Sequence, residues 1–143
     1  MNNKLVEFKF DDLVVNDSAE FIVEITSEMV MEFANLSGDH NPLHVDKTYA
    51  KETELGQTIV HGLLTASFFS RLIGMHLPGK YALFLSQTLR FKTPIYIGQK
   101  VTVRGKITQK VEALKTVKIN TEILDENKVV VLIDGEAMVK LLK

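Results

Sequence analysis

Hydrophobic and polar residues alternate along much of the second half of the chain. In one such segment, Val101, Val103 and Ile107 are separated by polar or charged residues. Because successive side chains of a β-strand point to opposite faces, this period of two predicts strands. The segments predicted to be strands in this half are residues 83–91, 101–107, 117–123 and 129–139. Residues 20–26 are rich in β-forming residues and predict one more strand near the start.

Between these strands, apolar residues recur at the three- and four-residue intervals of a helix. A first helix is predicted after residue 26, with Ser27 as its cap and Ser37-Gly38-Asp39 at its end. Residues 46–53 are predicted to form a further helical turn. Residues 63–75 are apolar around nearly the whole helical wheel, which is typical of a buried helix. Leu77-Pro78-Gly79 is predicted to end this helix.

The order of these elements predicts the fold class. A strand, a helical segment, a buried helix and then a run of strands indicate an α+β fold with an antiparallel sheet. A sheet wrapped around one long central helix would cover every apolar face, which is the hot-dog arrangement. With no repeat, linker or low-complexity tract, we expect residues 1–143 to form one domain.

Composition excludes several kinds of function. The 143 residues include no cysteine, which rules out disulfides, thiolate catalysis and cysteine-based zinc sites. The formal net charge of −1 does not indicate a surface for nucleic acid or an anionic membrane. The longest apolar runs are too short to cross a bilayer, and no signal peptide is recognisable at the start. We therefore expect a cytoplasmic protein.

The loop of residues 36–46 is the part of the chain best suited to catalysis. Asp39 and His44 offer a carboxylate and an imidazole, which together can take a proton from water and return one near neutral pH. A simpler alternative is that Asp39 caps a short helix over residues 41–45 and His44 lies on the surface. Asn41 either orients Asp39 through its side-chain amide or simply forms the turn before proline.

Metal binding by this loop is not favoured. His40 and His44 are four residues apart, but Pro42 lies between them and makes an uninterrupted helix with both imidazoles on one face unfavourable.

The start of the buried helix is a second candidate for chemistry. Its first backbone N–H groups have no acceptor within the helix, and they can polarise a thioester carbonyl near Gly62. Gly62 is equally well explained as a tight entry into the helix, and His61 as a structural hydrogen-bonding residue. Ser70 lies mid-helix, where serine usually bonds to a carbonyl one turn back. The G-x-S-x-G pattern of serine hydrolases does not occur.

Residues 37–46, Ser-Gly-Asp-His-Asn-Pro-Leu-His-Val-Asp, resemble the signature of MaoC-like, (R)-specific enoyl-CoA hydratases. The similarity continues through residues 59–67, 77–79 and 86–91, so that it covers most of the chain. The resemblance implies a hot-dog fold, a homodimer, an acyl-CoA substrate, and no metal or cofactor. It also implies reversible syn hydration of trans-2-enoyl-CoA to (3R)-3-hydroxyacyl-CoA, in a route toward polyhydroxyalkanoate or related acyl metabolism.

The same resemblance assigns roles to individual residues. Asp39 and His44 match the catalytic pair, and Asn41 matches a supporting amide. Gly62 matches the backbone N–H at the thioester oxygen, and Ser70 matches a serine that some members carry near the active site. Three alternatives remain open: a 3-hydroxyacyl-carrier-protein dehydratase, a hot-dog acyl-CoA thioesterase, and a non-catalytic acyl-CoA-binding module.

Overall fold

The computed structural model describes residues 4–143 and consists of one antiparallel sheet with helices packed on its inner face. The strands are β1 Ser18–Glu24, β2 Ala82–Gln87, β3 Arg90–Phe91, β4 Lys100–Val111, β5 Thr116–Asp125 and β6 Val131–Leu141. The helices are α1 Ser27–Ser37, α2 Pro42–Val45, α3 Lys47–Lys51, α4 Gly62–Ala66 and α5 Phe68–Arg71, with a π-helical turn over Leu72–His76 and short 3₁₀ turns over Phe10–Asp12 and Glu112–Leu114.

The sheet runs in the order β1-β4-β5-β6-β2, and the short β3 also pairs with β6. Every pairing is antiparallel. The sheet curves around the helical segment that starts at α4 and ends with the π-helical turn. The predicted α+β class and the hot-dog arrangement are therefore confirmed.

The alternation predicted for β4 and β5 separates a buried face from a charged one. Val101, Val103 and Ile107 are fully buried on the inner face. On the outer face, Arg104 is in register with Glu122 of β5 and donates to its Oε2 at 2.7 Å. Because this outer face is exposed to solvent, apolar and polar residues alternate along the two strands in the sequence.

The central helix joins two clusters of buried side chains. Leu72 belongs to the cluster that also includes Val103 and Ile123, whereas Ile73 packs with Ile107 and its neighbours in the other. The helix begins at Gly62 and ends after His76, close to the predicted bounds.

The central helix is buried over most of its surface, as predicted, but one side of it is exposed. Leu63 is 60% exposed, and Ser67, Ser70 and Gly74 are exposed as well. These four residues recur at intervals of four, three and four, and so form one stripe along the helix. We call Leu63, Ser67, Ser70 and Gly74 the exposed stripe.

Two local predictions also need correction. Residues 83–91 form two strands rather than one, because β2 ends at Gln87 and β3 begins only at Arg90. Within β2 the pairing with β6 shifts register between Phe84 and Ser86, and Leu83 and Leu85 are exposed at the sheet edge. The cap of α1 is Thr26, whose side chain accepts the Met29 N–H at 3.2 Å, and not Ser27.

Across residues 4–143, none of the helices has the length and apolar character needed to cross a membrane.

Candidate active site

The end of α1 sets the course of the loop that carries Asp39. Gly38 adopts a left-handed conformation with φ of 80° and closes the helix by donating its N–H to Ala34 O at 2.9 Å. This φ explains the glycine, because other residues are strained there. The next residue is held by Ser37, whose Oγ accepts the Asp39 N–H at 3.1 Å.

Asn41 links Asp39 to the short helix α2. Its Oδ1 accepts the Leu43 N–H at 3.0 Å and so caps α2, with Pro42 in the first helical position. Its backbone N–H donates to Asp39 Oδ1 at 3.1 Å. The alternative in which Asp39 caps this helix is therefore wrong, and Asn41 contacts Asp39 through its backbone rather than through its amide.

His44 is held with one nitrogen toward the backbone and the other toward Asp39. Its Nδ1 lies 2.8 Å from the Ile59 carbonyl oxygen. A carbonyl can only accept, so Nδ1 carries the proton, and in the neutral ring Nε2 has a free lone pair. Nε2 lies 4.0 Å from Asp39 Oδ2, and the His44 side chain is only 13% exposed. The alternative in which His44 lies on the surface is wrong.

Asp39 and His44 line one side of a cavity of about 450 Å³. The remaining walls are mostly apolar and come from α1, from the segment before α4, and from the sheet; they include Phe33, Ile59, Phe91, Ile95 and Ile133. A largely apolar cavity with a few polar groups at one end suits a ligand with a hydrocarbon portion and one reactive end.

Gly62 lies in the wall of the same cavity, where α4 begins. A Cβ at this position would lie 2.7 Å from Cε1 of Phe91, so glycine is needed for the ring to pack against the helix start. The first N–H groups of a helix lack acceptors within the helix, which makes this wall a site for a partly negative oxygen.

The structure thus brings Asp39, His44 and Gly62 to one cavity and leaves Ser70 outside it. Ser70 belongs to the exposed stripe and does not line the cavity. The sequence interpretation also overlooked Ser37, which supports Asp39. No pattern in the sequence pointed to Ser37, because its role depends on the turn that Gly38 makes.

His61 lies closer to Asp39 and His44 than its position in the sequence alone suggests. One ligand atom each from Asp39, His44 and His61 lie within 4.8 Å of one another, a donor set that a metal ion could use. This group contains His61 in place of the His40 considered from the sequence. Each imidazole already directs one nitrogen to a backbone carbonyl, which leaves one nitrogen per ring for a proton or a ligand.

Comparisons with known proteins place the chain among relatives named as hydratases and dehydratases. The chain is 39% identical over 129 residues to the (R)-specific enoyl-CoA hydratase of Aeromonas caviae, covering 90% of this chain and 96% of that protein. It is 37% identical over 136 residues to the 3-hydroxybutyryl-CoA dehydratase of Methylorubrum extorquens, covering 94% of this chain and 84% of that one.

The comparison of folds also finds an (R)-hydratase. The solved structure of an (R)-hydratase from A. caviae involved in PHA biosynthesis matches with a TM-score of 0.87 and 39% identity, covering 90% of this chain and 97% of that one. Residues 15–128 match the family model described as a MaoC like domain. The resemblance drawn from the loop motif is confirmed, and the chain belongs to the MaoC-like domain family.

Proposed function

We propose that the protein is an (R)-specific enoyl-CoA hydratase, which reversibly adds water to trans-2-enoyl-CoA to give (3R)-3-hydroxyacyl-CoA. The observation that carries the proposal is the placement of Asp39 Oδ2 and His44 Nε2, 4.0 Å apart at the polar end of an apolar cavity. The relatives named above are a hydratase and a dehydratase, which catalyse the two directions of this reaction.

The 4.0 Å separation suits a water molecule shared by the two side chains. It is too long for a direct hydrogen bond, but an oxygen about 2.8 Å from both atoms fits between them. Because the Ile59 carbonyl holds the proton on Nδ1 of His44, Nε2 is free to accept from this water. The carboxylate of Asp39 offers a second acceptor, so the water is oriented and made more nucleophilic.

Hydration then follows from one water on one face of the substrate. The water oxygen forms a bond to C3 while one of its protons passes to the Asp39–His44 pair, and the π electrons move toward the thioester oxygen. The backbone N–H of Gly62 stabilises the charge on that oxygen. The pair returns a proton to C2 from the same side, which gives syn addition and restores the pair.

Of the two further residues assigned to the site, Asn41 has a supporting contact and Ser70 has none within the single chain. Asn41 holds the Asp39 carboxylate through its backbone N–H while capping α2. Ser70 lies outside the cavity of the single chain, so a role for Ser70 depends on a second copy of the chain.

We also propose that the protein forms a homodimer. β2 is an edge strand on which Leu83, Phe84 and Leu85 are 46%, 37% and 51% exposed. An apolar edge strand of this kind favours pairing with another strand. The exposed stripe of the central helix adds a further apolar contact at Leu63. In this proposal residues 1–143 form one cytoplasmic domain, whose product feeds polyhydroxyalkanoate or related acyl metabolism.

The test of the activity is the loss of conjugated absorbance when the protein is added to crotonyl-CoA. Asp39→Asn and His44→Gln are each expected to lower kcat by about 10²- to 10⁴-fold with the fold retained, because each removes a proton-transfer group. His40→Gln, in the same loop but outside the cavity, is the matched control and is expected to retain activity. Wild-type rates in either test variant would refute the mechanism.

Three further readouts separate this function from its alternatives. Chiral analysis should give the (3R) product. A thiol reagent should detect no free CoA, whereas a thioesterase would release it. Parallel assays compare CoA thioesters with carrier-protein thioesters at equal concentration. Faster turnover of the carrier-protein thioester would identify a carrier-protein dehydratase. Binding of the thioester without turnover would identify a binding module.

The dimer has its own test. Leu85→Lys should shift the protein toward the monomer in size-exclusion chromatography at a given concentration, because a charge would then face the partner strand. Leu142→Lys, at another exposed apolar position outside β2, is the control. An unchanged elution volume in Leu85→Lys would contradict an interface through β2.

A further inference from the structure

His61 is a buried histidine that makes no contribution to the mechanism described above. It is 2% exposed and stands at the N-cap position of α4, yet its side chain makes no capping hydrogen bond to that helix. The imidazole nitrogens of His61 therefore do not stabilise the start of α4. Burying an imidazole is costly unless its nitrogen atoms find partners.

The ring instead contacts both parts of the Asp39–His44 pair. Nε2 of His61 lies 2.9 Å from the backbone oxygen of Asp39, across 22 residues of sequence. Because a carbonyl only accepts, His61 donates this hydrogen bond. The His61 ring also stacks on the His44 ring. The two ring centroids are 3.9 Å apart, with 29° between the planes.

The remaining contacts keep this ring in one orientation. The Phe33 ring lies 4.9 Å from the His61 ring at an angle of 58°. Nδ1 of His61 is buried and has no hydrogen-bond partner among the described residues, so the contact of Nε2 with Asp39 O is the hydrogen bond that orients the ring. The Nε2 N–H points at Asp39, and turning the ring over would bury it without an acceptor.

The segment around His61 therefore sets the positions of both reacting side chains. Ile59 O holds Nδ1 of His44, and two residues later His61 holds the backbone of Asp39. The next residue is Gly62, which lines the same cavity. The segment from Ile59 to Gly62 thus fixes the two side chains and the helix start relative to one another.

We propose that His61 is a positioning residue, which sets the separation of Asp39 and His44 through its hydrogen bond to the Asp39 carbonyl and its stack on the His44 ring. The inference rests on the hydratase function proposed above. It assigns His61 an effect on turnover without any contact between His61 and the substrate.

Two variants separate the hydrogen bond from the stack. His61→Phe keeps an aromatic ring against His44 and removes the N–H donor. His61→Gln loses the ring but places an amide N–H near the position of Nε2. We expect His61→Phe to lower kcat for crotonyl-CoA by about 10- to 100-fold, with KM within about threefold, because small displacements of reacting groups are costly. We expect His61→Gln to recover most of the loss.

A merely structural role would lower the stability of all variants without this split between kcat and KM. Urea unfolding is therefore measured in parallel, and His61→Leu replaces His61→Phe if the larger ring prevents folding. His40→Gln, which exchanges an exposed histidine of the same loop, controls for the change of residue type.

Crystal structures of the variants give a readout that does not depend on turnover. In His61→Phe we expect Asp39 Oδ2 and His44 Nε2 to move from their 4.0 Å separation, and in His61→Gln we expect that separation to be kept. An unchanged kcat and an unchanged separation in His61→Phe would overturn the positioning role, as would an equal loss in His61→Gln. If the wild-type protein does not hydrate enoyl-CoA, the proposed function fails, and the separation still tests His61.

Discussion

Gly105 of β4 packs against Leu72 of the central helix, and we expect that replacing it with alanine destabilises the protein. A Cβ at this position would lie 2.8 Å from Leu72 Cδ2 and 3.2 Å from Ile119 Cγ2. Leu72 and Ile119 are both fully buried, and they belong to different clusters of the core. Neither side chain can move into solvent, so the side chains, the helix or the sheet must shift within the packed core.

The cost follows from this overlap. Ordinary contact between carbon atoms is about 3.5–4 Å, so the added atom overlaps Leu72 by about 1 Å. Forcing an extra methyl group into a packed core typically costs about 1–3 kcal/mol. For a domain of this size that loss corresponds to a fall in Tm of about 3–10 °C. The measurement is urea unfolding, with thermal unfolding as a second probe.

A double-mutant cycle identifies Leu72 as the cause. Leu72→Ala alone should cost about 2–5 kcal/mol, because it leaves a cavity. Gly105→Ala should cost about 0.5 kcal/mol or less in that background, since the new Cβ occupies the freed space. Val30→Ala, a buried change in α1 that is not among the nearest neighbours of the new atom, should be additive. The steric explanation would be refuted if the losses of Gly105→Ala and Leu72→Ala also simply added up. It would be refuted as well if Gly105→Ala alone left the free energy of unfolding unchanged.

Two other side chains lead to shorter predictions. Burial and the nearby charge of Arg71 lower the pKa of His76 from its ordinary 6.5, so the unfolded chain takes up this proton at a higher pH than the folded protein. The stability that neutral His76 contributes is fully present above pH about 6.5 and is lost as the pH falls through the lower folded-state pKa. The free energy of unfolding in urea, measured at pH about 7.5 and about 5.5, should therefore differ less between the two pH values in His76→Gln than in the wild type. Lys110 donates to Phe10 O at 2.9 Å and to Leu13 O, which anchors the N-terminal turn to β4. Lys110→Met should lower the free energy of unfolding by about 1–3 kcal/mol, whereas Lys106→Met, exposed on the same strand, should leave it nearly unchanged; equal values for the two would contradict this anchoring.

Periodicity predicted those stretches in which one face is continuously buried. In β4 the inner positions Val101, Val103 and Ile107 are all buried, so the period of two persists over residues 101–107 and the strand is recognisable there. The pattern misled where the sheet becomes irregular. In residues 83–91 the shift of register between Phe84 and Ser86 breaks the alternation, and both faces of β2 are exposed in the single chain. Apolar residues there are not part of the core of the single chain.

The same distinction between local and distant contacts explains which parts of the site the sequence predicted. The loop motif could be recognised because its geometry is local: Gly38 supplies the left-handed turn, and Asn41 caps α2 within three residues of Asp39. The orientation of His44 could not be predicted, because it is set by the carbonyl of Ile59, fifteen residues further on.

His61 shows most clearly which contacts of the site could not be predicted from the sequence. In the sequence it is one polar residue before a helix, and the usual role for such a residue is to cap that helix. In the structure it caps nothing, and its N–H crosses to Asp39. Asp39 and His44 therefore lie in one short loop, whereas contacts that orient them come from elsewhere, from the segment that leads to Gly62. Substitutions in that segment should alter turnover while leaving the loop motif intact, so the motif alone is not sufficient evidence of an active hydratase.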